Sequence, residues 1–482
     1  MKLLLFILLQ INLPIQELSN FLDSIQHEPA IKNAQVVAAI QNTKTKQTIF
    51  SFNAEKAVNS ASTLKLITTG AALSILGANY QYQTYIEYDG TITDNQLNGN
   101  IYIRGTGDPS LGSVRVGADF KLVQSMFAQA ILDAGIKKVN GFILGDGSIF
   151  TDKTVADSWI WGDMGNYYGA GVHGLNFNEN LYEVAFKSGN NYGESTAVVE
   201  VNPKIEEWEI DNRVLTGEKN SGDQVTIYSS PLSNKIILAG SVPSGVSKFV
   251  VKGSMPDPAY LLAQGLKTEL IKKGLDSSLL VMPFQEYKRK YNYYPKPRSV
   301  IFTYSSPQLK ELAKHCNYQS INLYADAMLK TCGYALAKDA DFDSSVMALK
   351  AYFGNQNIDL QGFMIRDGSG LSPSGVLTAT NMTNILSAYS NASVFQDYYA
   401  SIPILGISGT VKNLGKNTKA AGNVRAKSGS ISNTRAFAGY YTAQNGDLMS
   451  FMVAINRYAD GADAQIRKIL EKFMVKMVEI SN

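Results

Sequence analysis

The stretch VRAKSGSISNTRAFAGYYTAQNGDLMSFMVAI, residues 424–455, contains three β-strand patterns in succession. It predicts antiparallel strands at Val424–Ser430, Arg435–Thr442 and Leu448–Ile455, with a polar turn over 444–447. A helix follows, because apolar residues recur at helical spacing, namely Ile466, Ile469, Leu470, Phe473, Met477 and Val478. The C-terminal block therefore predicts an antiparallel sheet with a helix packed on it.

The N-terminal region supplies matching elements: an amphipathic helix over about 15–27, a hairpin, and a helix from Ser62 to about Leu76. Residues 80–295 instead show short alternating strands, many turns and little helix beyond about 119–134. We therefore expect one α/β sandwich, formed by residues 15–80 and 296–482, that is interrupted by a mainly β insertion over 81–295. The basic and aromatic stretch Tyr287–Arg298 is expected to be the return linker.

Composition excludes several classes of protein. With 45% hydrophobic and 18% charged residues, the chain of 482 residues is globular. A net charge of +3 does not suggest nucleic-acid or membrane binding. Three histidines and two cysteines, without metal-binding spacing, favour a chemistry that needs no metal. Residues 1–14 resemble a signal or apolar leader, and no later apolar run reaches the ~20 residues of a membrane span.

Ser62 and Lys65 lie three residues apart at the start of a predicted helix, on the same face. An amine in that position can take the serine proton, and the helix N-terminus favours an alkoxide and a lowered lysine pKa. The chain contains no other S-x-x-K. Such a short pattern also fits a surface lysine that follows a helix-capping serine.

Ser320 and Asn322 open another predicted helix and offer a hydroxyl for proton transfer and an amide for holding a substrate amide. The S-x-N pattern also occurs at 51–53 and 188–190, and alone it is typical of a helix N-cap. Lys427, Ser428 and Ser430 lie on a predicted strand, where a lysine and a hydroxyl can bind a carboxylate. The competing Lys187-Ser188-Gly189 runs into a turn.

The ordered set S-x-x-K, S-x-N and K-[ST]-G is known from penicillin-binding proteins and β-lactamases. The chain resembles the D-alanyl-D-alanine carboxypeptidase/endopeptidase family of low-molecular-mass, class C penicillin-binding proteins (the S13 type) over nearly its whole length. Further segments similar to family motifs are Gly105–Leu111, Gly145–Phe150, Trp159–Asp163, Asp367–Ser372 and Gly406–Thr410. Departures include Ile321 in place of Asp, and Pro373 where Arg is common, which affects side-chain specificity.

The resemblance implies a penicillin-binding/serine β-lactamase-like α/β sandwich and an acyl-enzyme mechanism on peptidoglycan stem peptides. In that mechanism Ser62 attacks the D-Ala-D-Ala carbonyl, Lys65 is the general base, Ser320 relays a proton to the leaving amine and Asn322 holds the peptide. It also implies export to the periplasm or another extracytoplasmic compartment, covalent inhibition by β-lactam antibiotics and no cofactor.

By the same resemblance, Lys427 and Ser428 bind the terminal carboxylate, while the backbone N–H groups of Ser62 and Ser430 form the oxyanion hole. Asp163, beside Trp159 and Trp161, is expected to face the free amine of a diamino acid at the third stem position. The alternative for this segment is that the tryptophans anchor a core and Asp163 is a turn residue.

Two other functions stay open from the sequence. One is a β-lactamase or esterase of the same superfamily, although the 255 residues from Lys65 to Ser320 resemble the carboxypeptidases with extra domains. The other is a non-catalytic cell-wall-binding relative, against which the intact Ser62, Lys65, Asn322 and Lys427 argue.

Overall fold

The computed structural model describes residues 15–203, 207–275 and 279–479, so the expected leader over 1–14 lies outside the described residues. The helices, in chain order, are α1 (15–25), α2 (Leu64–Leu76), α3 (Phe120–Asp133), α4 (Trp161–Met164), α5 (Pro258–Lys272), α6 (Phe284–Lys290), α7 (Leu309–Gln319), α8 (Asn322–Ala337), α9 (Phe342–Gly354), α10 (Ala379–Tyr389), α11 (Phe395–Ala400) and α12 (Asp463–Met477).

The strands, in chain order, are β1 (Gln35–Asn42), β2 (Thr48–Phe52), β3 (Gln83–Tyr88), β4 (Thr91–Thr93), β5 (Gln96–Asn98), β6 (Ile101–Gly105), β7 (Lys138–Val139), β8 (Phe142–Asp146), β9 (Leu181–Lys187), β10 (Ala197–Asn202), β11 (Glu209–Thr216), β12 (Thr226–Tyr228), β13 (Lys235–Val242), β14 (Phe249–Ser254), β15 (Leu280–Pro283), β16 (Ser299–Ser305), β17 (Arg425–Ile431), β18 (Thr434–Thr442) and β19 (Leu448–Asn456). The five strands expected at the two ends of the chain are all present.

The chain forms two compact units. One contains the residues up to Tyr80 and those from Gln308 onward, and the other is Gln81–Pro307. The inserted unit thus continues to Pro307 rather than ending at residue 295, because β16 pairs with β3 inside it. The stretch expected to be a return linker begins inside α6.

The discontinuous unit is built on an antiparallel sheet with the order β17-β18-β19-β1-β2. Apolar side chains of α1 and α12 pack on one face of this sheet in a common core. Helix α10 contacts β1 and β19, and α2 packs against α7 and α8. Strand β1 is buried along almost its whole length, as expected for a central strand covered on both faces. The predicted α/β sandwich split by an insertion is confirmed.

The inserted unit contains a five-stranded sheet with the order β15-β8-β6-β3-β16 and three three-stranded sheets. Its main core also includes apolar residues of α3 and α5. The expectation of little helix after residue 134 is wrong. Asp257 caps α5 by accepting the Tyr260 N–H, Pro258 begins the helix, and Leu262, Leu266 and Leu270 are buried.

Candidate active site

Ser62 lies in a tight turn, the 3-10 segment Ala61–Thr63, that leads directly into α2. Ala61 has a left-handed backbone (φ 44°), which costs a residue with a Cβ roughly 1–2 kcal/mol. Asn59 holds this conformation: its Oδ1 accepts the Ala61 N–H at 2.7 Å, and its Nδ2 donates to the carbonyls of Ser372 (2.9 Å) and Gly375 (3.0 Å). The turn that carries Ser62, called the nucleophile turn below, is therefore held by Asn59, which lies outside α2.

The amine of Lys65 is fully buried and has three oxygen neighbours. Its Nζ lies 2.8 Å from Ser62 Oγ, 2.6 Å from Asn322 Oδ1 and 2.7 Å from the Ser369 carbonyl oxygen. A neutral amine has two N–H donors and one lone pair. Since the amide and carbonyl oxygens only accept, they take the two donors, and the lone pair faces the Ser62 hydroxyl. This arrangement can remove the serine proton.

Burial lowers the pKa of Lys65 from its usual value to about 8, while the neighbouring Cys316, Asp326 and Asp367 oppose that shift. Desolvation disfavours the charged ammonium and so acts in the direction a general base requires. The neutral base is accordingly available near neutral pH.

Asp326 is a supporting residue that the sequence reasoning missed. It lies one helical turn after Asn322 on α8, and its Oδ1 accepts the Gly368 N–H at 2.7 Å. The Gly368 carbonyl in turn accepts the Thr68 hydroxyl at 2.7 Å. Together these bonds hold the loop that presents the Ser369 carbonyl to Lys65. The i, i+4 spacing from Asn322 was the available signal.

Ser320 and Asn322 are brought to the site by the junction of α7 and α8. Ser320 ends α7 with a left-handed backbone (φ 59°), and Asn322 is the first residue of α8. Asn322 faces Lys65, whereas Ser320 Oγ accepts a hydrogen bond from Lys427 Nζ at 2.8 Å. The three motifs, separated widely in the chain, are thus in direct contact.

Lys427 is fully buried on β17 and also donates to the Ser428 carbonyl at 2.8 Å. Burial, reinforced by the charge of Lys65, holds its pKa well below the usual value. A bound carboxylate would supply the missing opposite charge and favour the ammonium. Ser428 Oγ donates to Thr410 Oγ1 at 2.8 Å, which adds a second hydroxyl that the site predictions did not include.

Strand β17 is the edge strand of its sheet. Residues 403–405 hydrogen-bond to Val424 and Ala426 at its start, so the outer side of the backbone is available to an extended peptide from Ser428 onward. Gly429 makes close approach to the nucleophile turn possible, since a Cβ there would lie 3.1 Å from the Ser62 nitrogen. Ser430 follows on the same strand and is exposed. The strand therefore passes directly beside the nucleophile, where backbone N–H groups can stabilise an oxyanion.

Asp163 lies in the inserted unit, on the short helix α4. Its carboxylate accepts a hydrogen bond from Tyr168 Oη at 3.1 Å, and burial raises its pKa. The two nearby tryptophans differ: Trp159 is buried, whereas Trp161 is 59% exposed and packs against Tyr228 with ring centroids 4.7 Å apart. The burial of Trp159 thus agrees with the alternative that the tryptophans anchor a core, whereas the exposure of Trp161 does not.

Within the part of the chain that the structure describes, no cluster of three or more His, Cys, Asp or Glu side chains could hold a metal ion. The same described residues include no helix long and apolar enough to cross a membrane. Cys316 and Cys332 are buried free thiols.

Comparison with known proteins points to a single family, the D-Ala-D-Ala carboxypeptidases. A model of the D-Ala-D-Ala carboxypeptidase 3 (S13) family matches residues 18–477. A D-alanyl-D-alanine carboxypeptidase of Actinomadura sp. (strain R39) is 25% identical over 468 residues, which cover 94% of this chain and 83% of that protein.

Solved structures show the same fold. Penicillin binding protein 4 (dacB) from Haemophilus influenzae superposes with a TM-score of 0.80 at 24% identity, covering 95% of this chain and 98% of that one. The same Haemophilus protein in complex with a novel β-lactam gives a TM-score of 0.75 at 22% identity, again covering 95% and 98% of the two chains.

Proposed function

The chain belongs to the D-Ala-D-Ala carboxypeptidase 3 (S13) family and is a serine-type D-Ala-D-Ala carboxypeptidase/endopeptidase; we propose that it cleaves peptidoglycan stem peptides through an acyl-enzyme on Ser62. The observation that carries this proposal is the contact of the buried Lys65 amine with Ser62 Oγ at 2.8 Å. The other two neighbours of Lys65 accept hydrogen bonds only, so its lone pair is directed to the nucleophile.

Acylation begins when Lys65 removes the hydroxyl proton as Ser62 Oγ attacks the carbonyl carbon of the scissile bond. The negative charge that develops on the carbonyl oxygen is stabilised by the backbone N–H groups of Ser62 and Ser430. One such donor typically contributes 10²–10³ in kcat. Asn322, fixed by its bond to Lys65, holds the substrate amide on the acyl side.

Collapse of the tetrahedral intermediate needs a proton on the leaving amine. Ser320 supplies it, since its Oγ is hydrogen-bonded to Lys427 Nζ and can pass a proton from that amine. The carboxylate of the departing D-alanine is bound by Lys427 and Ser428, together with Thr410. Before deacylation, Lys65 gives up the proton that it took from Ser62 and Lys427 takes one back, so that the net transfer is one proton from Ser62 to the leaving amine. The neutral Lys65 then acts as base for the water that hydrolyses the acyl-enzyme.

β-Lactams are expected to acylate Ser62 because they resemble the D-Ala-D-Ala terminus. The β-lactam complex of the Haemophilus protein supports this expectation. We also propose that the protein is exported, since its substrate is a wall polymer and residues 1–14 have a basic start and an apolar run. The inserted unit was expected to end at residue 295 and runs to Pro307 in the structure. We propose that it forms accessory domains of the catalytic unit.

The test is penicillin labelling and peptide cleavage by Ser62→Ala. Both should be lost while the melting temperature stays within a few degrees. Ser188→Ala is the matched control, because Ser188 belongs to the competing K-S-G sequence and its hydroxyl donates to the Pro243 carbonyl. Covalent labelling that survives in Ser62→Ala, or rapid turnover of the penicillin adduct by the unaltered protein, would contradict the proposal; the second result would indicate a β-lactamase.

A further inference from the structure

A groove of about 570 Å³ lies next to the nucleophile turn, in the discontinuous unit. Asn59 and Pro373 contribute to one part of its lining, residues 431–434 of the β17–β18 hairpin to another, and Asn456, Arg457 and Tyr458 to a third. None of these residues takes part in the acyl-transfer steps described above. The groove is therefore a part of the catalytic unit that lies outside the acyl-transfer machinery.

Direct hydrogen bonds connect the groove to the nucleophile. Asn59 accepts the N–H of Ala61 with its side chain. Its backbone carbonyl oxygen accepts a hydrogen bond from Asn456 Nδ2 at 3.0 Å. Asn456 Nδ2 also donates to Thr434 Oγ1 at 3.0 Å, across the hairpin. A ligand that occupies the groove would thus lie against the same residues that fix the Ser62 turn.

The direction of β17 decides which end of the substrate can reach the groove. Lys427 and Ser428 bind the leaving group near the start of this strand, and residues 431–434 follow its end. At about 3.3 Å per residue, Ser428 and Ile431, where the strand ends, are roughly 10 Å apart. An extended stem peptide spans a similar length in about three residues. The acyl side of the substrate therefore extends toward the groove.

Among the residues that the structure describes, Arg457 is the one charged residue that lines the groove. Its side chain is exposed, and within the described ranges it has no hydrogen-bond or ion-pair partner. Its backbone is left-handed (φ 61°), a strained conformation for a residue with a side chain. The Arg457 N–H donates to the Asn433 carbonyl at 2.6 Å, and Asn433 Nδ2 donates to Tyr458 O at 2.8 Å and to Asp460 Oδ1 at 2.7 Å.

These bonds keep Arg457 in its strained conformation and engage Asp460, the nearby acid, with Asn433. Strained backbone is retained where the surrounding structure enforces it, often at ligand-binding positions. The groove thus combines a fixed backbone with an unpaired guanidinium, a group suited to a carboxylate.

We propose that this groove is a subsite for the acyl side of the substrate and that Arg457 binds a carboxylate there. The inference rests on the proposed function and adds a specificity residue to it. Stem peptides offer two such groups: the free carboxylate of the γ-linked D-glutamate, two positions before the scissile D-alanine, and a carboxylate on the third residue. Both groups are carboxylates and would bind Arg457 in the same way. Matched substrates that differ in only one of the two carboxylates are therefore needed to distinguish them.

The experiment measures kcat and KM for Arg457→Gln, Arg457→Lys and the unaltered protein on matched pentapeptides. One pair has D-glutamate with a free or amidated carboxylate, and a second pair has a third residue with a free or amidated carboxylate. Arg467→Gln, which removes an exposed charge of α12 outside the groove, is the control for net charge. Each comparison is a ratio of two peptides on one variant, so partial misfolding cancels.

In Arg457→Gln, the preference for the free over the amidated peptide should fall by roughly 3–30-fold in one pair, as expected for a partly exposed charged contact. The effect should be in KM, and Arg457→Lys should retain part of the preference. An unchanged preference in both pairs, or an equal fall in Arg467→Gln, would overturn the proposal. Penicillin labelling of Ser62 in the same variants tests the catalytic function separately.

Discussion

Gly429 passes so close to Ser60 that a Cβ on the glycine would lie 2.6 Å from the Ser60 carbonyl oxygen. The Cβ position is fixed by the backbone of β17, and the Ser60 carbonyl belongs to the backbone of the nucleophile turn, so neither can yield without moving the strand or the turn. The absence of a side chain at residue 429 therefore sets the distance between the catalytic strand and Ser62.

From this contact we predict that Gly429→Ala displaces β17 from the turn and misplaces the Ser430 N–H. Loss of one oxyanion donor costs about 10²–10³ in kcat, and acylation by penicillin should slow by a similar factor. Stopped-flow acylation rates provide the measurement. Gly354→Ala, at the end of α9, is the control, because a Cβ there meets no atom within 4 Å. An acylation rate near that of the control would contradict this account.

The lowered pKa of Lys65 predicts the pH profile. Lys65 must be neutral to act as a base, so kcat/KM should rise with pH, with a midpoint near its pKa of about 8, and level off above it. Burial raises the pKa of Asp326 to about 8, so its carboxyl group ionises in the same pH range. In Asp326→Asn, loss of the ionised carboxylate that favours the ammonium should move this midpoint to lower pH. A profile that is flat between pH 6 and 9, or a shift to higher pH in the variant, would exclude Lys65 as the titrating base.

Lys427→Ala should distinguish carboxylate binding from general electrostatics. A charge-assisted contact contributes about 1.5–3 kcal/mol, so the variant should lose roughly 10–150-fold more activity on a substrate with a free terminal carboxylate than on a neutral ester. Lys187→Ala, in the competing K-S-G sequence, should affect neither substrate. Equal losses on acid and ester would assign Lys427 a role in proton transfer or folding alone.

Asp163→Asn tests the expectation from the sequence that Asp163 recognises the free amine of a diamino acid. Peptides with a free amine at the third position should be cleaved roughly 3–30-fold more slowly, because one partly buried charged contact is lost. Peptides in which that amine is acetylated should be nearly unaffected. Steady-state kinetics on the matched pair decide the question, and a parallel loss on both would make Asp163 a structural residue.

Sequence patterns predicted the catalytic sheet well, since alternation along β17, β18 and β19 and the polar turn between the last two are local signals. The three-residue spacing of Ser62 and Lys65 likewise predicted that the two side chains lie on the same face, and they are in direct contact. The Ser369 carbonyl could not be predicted as a ligand of Lys65, because a backbone oxygen has no side-chain signature. Asp326 resembles any single acid in an apolar helix until its contact with Gly368 is known.

Helix α5 and the end of the insertion were missed for different reasons. The cap and apolar spacing of α5 were present in the sequence but were outweighed by the surrounding turns and strands. The boundary at Pro307 depends on the pairing of β16 with β3, and pairing between strands so distant in the chain leaves no local trace.

The position of β1 between β19 and β2 has a consequence for biosynthesis. Gln41 and Ser450 are hydrogen-bonded neighbours although 409 residues separate them. While the nascent chain is being made, β1 can pair with β2 at once but has to wait for β19 until almost all of the protein has been translated, whereas Gln81–Pro307 is one continuous segment. Such non-local pairing is slow and leaves strand edges open to wrong partners. The N-terminal hairpin thus exposes an unpaired strand edge until the last strand is translated.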